Sequence, residues 1–177
     1  ATIPLAFDKS EPSVVMNSAA TSRWFGFAAA LYSPVGTVKG FLNTPGTITS
    51  MQAQTDAFIA GSTMAPFGGG IAWYGITYNS GTGTNSFIRI DTVTGVRTVI
   101  GVATPPAGGS WAGLTYDWTT GTMYAVGLAT TTSLYTINMT TGAPTLVGTN
   151  TTSCLTLACN RAGTLFGVDA TGNTLVK

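Results

Sequence analysis

Asp8, Glu11, Asp56, Asp91, Asp117 and Asp169 are the carboxylates of this 177-residue chain, and they bound its acid–base chemistry. A paired-carboxylate glycosidase needs two carboxyl groups roughly 5–10 Å apart in one cleft, and nothing in the repeat of the chain brings two of these six together. Calcium needs several oxygen ligands and a local acidic cluster; none is present. The chain has no histidine. That excludes Ser-His-Asp and Cys-His nucleophiles, HExxH zinc sites and an imidazole switch near neutral pH. Cys154 and Cys159 would stand about 16 Å apart on one extended strand, and a disulfide spans less than about 7 Å. They read as buried or free thiols. Gly68-Gly69-Gly70 lacks the following Lys-Ser/Thr and the helix of a phosphate loop. No catalytic residue, metal site or cofactor is expected.

Charge excludes further classes. Only 7% of the residues are charged and the net charge is +1, against about 25% charged in an ordinary soluble domain. Such a chain offers no electrostatic footprint for nucleic acid or an anionic membrane. The longest apolar run covers 24–32, well short of the ~20 residues of a membrane helix, so no membrane insertion is expected. With 44% hydrophobic residues, one domain with a packed core is within reach.

The elements that must position these few groups repeat along the chain. Trp24-Phe25-Gly26-Phe27, Trp73-Tyr74-Gly75-Ile76, Met123-Tyr124-Ala125-Val126 and Leu165-Phe166-Gly167-Val168 share the order large apolar, aromatic, small, apolar, at spacings of 49, 50 and 42 residues. Phe41-Leu42-Asn43-Thr44-Pro45-Gly46, Ile90-Asp91-Thr92-Val93-Thr94-Gly95 and Ile137-Asn138-Met139-Thr140-Thr141-Gly142 follow the first three copies. Fixed-period self-similarity marks a repeat architecture.

Each unit reads as strands. Residues 86–91 and 133–138 alternate apolar and polar with period two. The Asx-x-x-Thr-Gly segments between them and the next β-rich runs are turns, because Asx bonds its own backbone further on and Gly accepts positive φ. No apolar stripe at helical spacing occurs, and 33 threonines and 23 glycines oppose helix. The unit is four short antiparallel strands, a to d, the content of a β-propeller blade. Strand a is expected near 11–16, 57–65, 110–117 and 153–160. Strand b is expected near 23–31, 71–79, 122–128 and 164–169. Strand c falls near 37–43, 86–91, 133–138 and 173–177, and strand d near 47–51, 96–101 and 143–148. Ala1 to Phe7 resembles Ala143-Pro144-Thr145-Leu146-Val147 and reads as a further d strand. The expected fold is an all-β propeller of about four four-stranded blades, at 8–52, 53–101, 102–149 and 150–177 plus 1–7. These either close on themselves or form part of a longer propeller.

The phrases at 113–126 and 133–142 resemble secreted bacterial β-propeller repeats, which recur in large cell-surface proteins, notably of Bacteroidota. The resemblance covers 57–177 well and 11–52 weakly. It implies export and a cell-surface or extracellular location. Asp91-Thr92-Val93 is similar to the O-glycosylation pattern of that phylum, which makes Thr92 the implied acceptor.

Binding residues are sought on loops held by a rigid scaffold. The b–c and d–a connections share one face, and there Thr82, Asn85, Pro105 and Pro106 are candidates. Asp169 is a candidate for an ion or polar contact. Trp118, in the Asp-Trp-Thr-Thr-Gly turn between strands a and b, suits stacking on a sugar or docking a protein. Asp91 and Asp117 fall at turn positions and read as turn caps. The expected function is a non-catalytic binding or structural module presenting neutral loops to a protein or glycan partner. The alternatives are a self-assembling filament or coat subunit and a fragment of a propeller enzyme.

Overall fold

The computed structural model describes the backbone of residues 23–29, 36–42 and 49–54, and residues 58–177 apart from 80, 106–108 and 151; side chains are described from 59 onward. All regular structure there is antiparallel β. β1 (Arg23–Ala29), β2 (Gly36–Leu42) and β3 (Thr49–Gln54) form a first sheet. β4 (Phe58–Phe67), β5 (Gly70–Asn79), β6 (Thr84–Ile90) and β7 (Arg97–Val102) form a second. The third holds β8 (Ser110–Asp117), β9 (Thr122–Leu128), β10 (Thr132–Ile137) and β11 (Pro144–Asn150). The last holds β12 (Ala158–Cys159), β13 (Leu165–Asp169) and β14 (Thr174–Val176). Within each sheet the strands lie in chain order, as short hairpin turns require. The strands expected at 1–7 and 11–16 lie outside the described residues.

The repeat extends to irregularities. Strand a bulges at Ala60 against β5 and at Ala112 against β9. In the last sheet, Cys154 bridges Asp169 and Ala158 pairs Phe166, so one extra residue is again accommodated. Strand d bulges at Met51, Ile100 and Val147, always one residue after the partner of the same strand-c position.

These bulges accompany a close approach of neighbouring inner strands. A Cβ added to Gly61 would stand 2.6 Å from the Leu114 nitrogen and 2.7 Å from the Gly113 carbonyl carbon. One added to Gly113 would stand 2.8 Å from the Leu157 nitrogen. Gly61 and Gly113 hold the same register position, each the first paired residue after its bulge. At the outer edge, a Cβ on Gly101 of β7 would overlap the Thr141 carbonyl oxygen of the next sheet's turn. Gly148, its counterpart in β11, has no neighbour within 4 Å.

Between glycine contacts inside and outside, large side chains fill the space between sheets. Ala65, Tyr74, Ile76 and Phe87 of the second sheet pack on Trp111, Leu114, Tyr116 and Met123 of the third. Tyr74 stacks on Phe87 at 5.6 Å, and Trp111 meets Tyr135 edge-on at 5.2 Å. On the other face of the second sheet Trp73, Ile88 and Ile90 form a second cluster. A strand between two sheets is buried on both faces, and Ala72 through Thr77 of β5 are buried without alternation. The outermost β11 is largely exposed.

Gly61→Ala and Gly113→Ala should each lose about 1–3 kcal/mol, since backbone must move to admit the methyl. Gly148→Ala should stay within about 0.5 kcal/mol. Urea unfolding of the three variants checks this; equal losses at 113 and 148 would remove the close approach as the cause.

Candidate functional site

Antiparallel meanders put the a–b and c–d turns at one end of every sheet and the b–c and d–a connections at the other. The sequence-derived candidates therefore divide. Trp118 sits at the first end, and Thr82, Asn85, Pro105 and Asp169 at the second. Pro106 lies outside the described residues. The structure does not bring them into one site.

At the a–b and c–d end, Asx side chains build the turns. Asp91 Oδ1 accepts from the Thr94 N–H at 2.7 Å, the Thr94 hydroxyl at 2.9 Å and the Val93 N–H at 2.9 Å. Asn138 Oδ1 accepts likewise from the N–H groups of Thr140 and Thr141. Gly95 and Gly142 close the two turns, each at φ 75°. Thr92, the implied glycosylation position, is half-buried in the first of them. Bonds from Thr94 and Val93 hold the Asp91 carboxyl below its usual range.

In the a–b turn of the third sheet, Asp117 Oδ1 accepts from the Thr119 N–H at 2.8 Å and its hydroxyl at 2.7 Å, and Oδ2 accepts from the Thr120 hydroxyl at 2.7 Å. The Thr120 hydroxyl first, then the Thr119 hydroxyl and N–H, lower the Asp117 pKa to about 2. Asn160 takes the same place in the last sheet, accepting from the N–H groups of Ala162 and Thr164. Burial first, and then the Asp117 carboxylate, push the Cys159 thiol upward, which suppresses the thiolate a nucleophile requires. Cys154 and Cys159 are both free.

Trp118 rides on the Asp117 turn. It is 54% exposed, whereas Trp73 and Trp111 are 6% and 4% exposed. Tyr116, itself in the core, holds the indole edge-to-face at 5.2 Å and 88°. Two groups near this end escaped the sequence reading. Arg89 lies 3.4 Å from the Phe67 ring centroid, beside the Tyr74 hydroxyl, whose pKa burial raises against the opposing pull of Arg89. Arg161 is exposed one residue past Asn160, as Trp118 is one past Asp117. That alignment was the available signal for Arg161.

At the opposite end Asn85 and Asp169 are tied into the connections, while Thr82 stays exposed. Asn85 is buried, and its carbonyl accepts from the Ala103 N–H at 3.1 Å. That contact seats the d–a connection, whose Ala103 carbonyl accepts from Trp111 Nε1 at 2.7 Å. Asp169 is buried and opens the b–c turn, accepting from the Thr171 N–H at 2.9 Å. Asn79 does the same for Gly81 and Thr82. Gly83 in one turn and Asn173 in the other, four residues on, have φ of 66° and 50°. Thr82 is exposed with its hydroxyl 2.7 Å from that of Thr84, and Pro105 is half-buried. A cavity of about 320 Å³ between the third and last sheets is lined mainly by apolar groups, among them Val126, Leu134, Leu157 and Phe166. Among the described residues no three His, Cys, Asp or Glu side chains gather as metal ligands would, and no helix is long and apolar enough to cross a membrane.

No protein-family model and no curated protein sequence matches the chain. Solved structures do. TolB from Acinetobacter baumannii aligns with 88% of this chain at TM-score 0.55 and 13% identity, and a protein from Lactobacillus plantarum aligns with 86% at TM-score 0.52 and 15% identity. The shared fold is that of β-propellers. At these identities the likeness carries fold alone. The chain spans 41% of the first protein and 52% of the second.

The Asp117 turn has a pH signature. An unfolded Asp titrates near 3.9 and the folded one near 2, so its contribution is complete above about pH 4 and fades as pH falls toward 2. Asp117→Asn should fold, since Asn160 caps the equivalent turn. It should show a shallower loss of urea midpoint between pH 4 and 2 than the parent. Parallel pH curves would rule out Asp117 as a source of acid sensitivity.

Proposed function

We propose that the chain is a non-catalytic binding module, a β-propeller or an arc of one, that holds a protein partner at exposed turns of a rigid set of sheets. The observation that carries this is Trp118, exposed on a turn tied by Asp117 and braced by Tyr116. Tryptophan is the commonest kind of binding hot spot, and a fixed indole loses little entropy when it is covered. The non-catalytic reading is supported by the described carboxylates, since Asp91, Asp117 and Asp169 accept from their own turns. A glycan would stack on the same indole. The resemblance to secreted repeats supports export to the cell surface or beyond it. Among the described residues β14 is an edge of the last sheet, and the sequence match of 1–7 to 143–147 supports reading 150–177 plus 1–7 as a fourth blade.

A second reading, a subunit of a self-assembling filament or coat, is favoured by one observation. Val168 and Leu175 occupy in the last sheet the register positions of Ile76 and Phe87. The latter pair is fully buried, whereas Val168 and Leu175 are 43% and 65% exposed.

Selection of a displayed peptide library on the chain tests the binding role. Peptides retained by the parent should lose about tenfold or more in affinity for Trp118→Ala, with thermal stability nearly unchanged. Peptides bound equally by both chains would sink this reading. Light scattering behind a sizing column separates the second: a module elutes near 18.1 kDa, a coat subunit as large assemblies.

A further inference from the structure

The a–b turns of three successive sheets form a strip. Phe67 in the second sheet is 49% exposed, Trp118 in the third is 54% exposed, and Arg161 in the last is exposed. The last two turns touch: a Cβ on Gly163 would stand 2.7 Å from the Thr119 hydroxyl oxygen. The inner strands leading into all three turns are held together by the Gly61 and Gly113 contacts.

Among the described residues, cations outnumber carboxylates at this end: Arg89, Arg97, Arg161 and Lys177 lie at it, against Asp91 and Asp117. Asp117 is 3% exposed and saturated by Thr119 and Thr120. Asp91 is bonded into its own turn and lies close enough to Arg89 to be stabilised by it. Arg161 makes no hydrogen bond or ion pair among the described residues. Arg89 is stacked under Phe67 with its head oriented. Aromatic rings flanked by guanidinium groups supply an apolar seat and carboxylate donors together.

We propose that this strip docks an extended acidic segment of a protein, with an apolar or aromatic side chain on the Trp118 indole and carboxylates on Arg161 and Arg89. This rests on the protein-binding reading above and names the site and the partner's chemistry.

The test uses the full chain and fluorescently labelled random copolymers, poly(Glu,Tyr) and poly(Lys,Tyr), with cellohexaose as a neutral probe. Poly(Glu,Tyr) should bind, weaken as salt rises, and lose about tenfold or more for Trp118→Ala and for Arg161→Glu. Arg161→Gln, a milder change, should lose part of that, and Thr145→Ala on the exposed outer strand nothing. Circular dichroism confirms that each variant folds. Equal binding of poly(Lys,Tyr), or no effect of either Arg161 variant, would overturn the acidic partner. Trp118-dependent binding of cellohexaose alone would overturn it too, while leaving Trp118 a binding residue. Silence of all three probes overturns the strip as an acidic dock, and the peptide-library selection still decides the binding role separately.

Discussion

The sheets from β4 onward depend on the contact of glycine with backbone between neighbouring inner strands. Gly61 presses on Gly113 and Leu114, and Gly113 on the Thr156–Leu157 peptide. Side chains cannot separate the strands there. Backbone also meets backbone at the outer edge, where Gly101 abuts Thr141, and the space between the two contacts is taken by Tyr74, Ile76, Phe87 and Trp111, each at most 4% exposed. Close contact at both edges with large side chains between them fixes one sheet against the next. The fold that results is the one shared with TolB. The bulges at Ala60 and Ala112 belong to the same constraint, since each lies one residue before its contact glycine.

The glycine contacts also decide what the turns can be. Strands that touch along their length carry their end turns into contact, as Gly163 against Thr119 shows. Crowded turns favour compact, self-satisfying chemistry, and an Asx side chain bonding its own following N–H groups is that chemistry. Asp91, Asp117, Asn138 and Asn160 are spent in this way. The scarcity of charge in the composition therefore has a structural counterpart: the described carboxylates are parts of turns, and Arg161 is left facing outward.

Much of this was legible in the sequence because it is local. Strand b of the third unit falls at 122–128 as expected, bounded by Gly121 on one side and the Ala129–Thr131 bend on the other. The Asx turns were legible for the same reason. The bulges were not, because Ala60 and Ala112 are small residues with no turn signature. Asn85 was misjudged as a loop group through a tertiary effect: Ala103 folds back onto its carbonyl and buries it. Asp169 matches Gly127 by strand alignment, yet the last strand b is two residues shorter at that end, so Asp169 does the work of Asn79.

The division of the candidates between two ends follows from the same topology and bears on function. At the b–c and d–a end, Asn85, Ala103 and Asp169 are buried by contacts that hold one sheet to its own connections. At the other end the turns are equally tied, and in the a–b turns the residues that follow Asp117 and Asn160 are exposed, whereas in the c–d turns Thr92 after Asp91 is half-buried and Met139 after Asn138 packs against the core. The exposed position carries Trp118 in one sheet and Arg161 in the next. An a–b turn that fixes its Asx and exposes the next residue offers a site for recognition in each of these two sheets. Recognition can be written there without disturbing the fold.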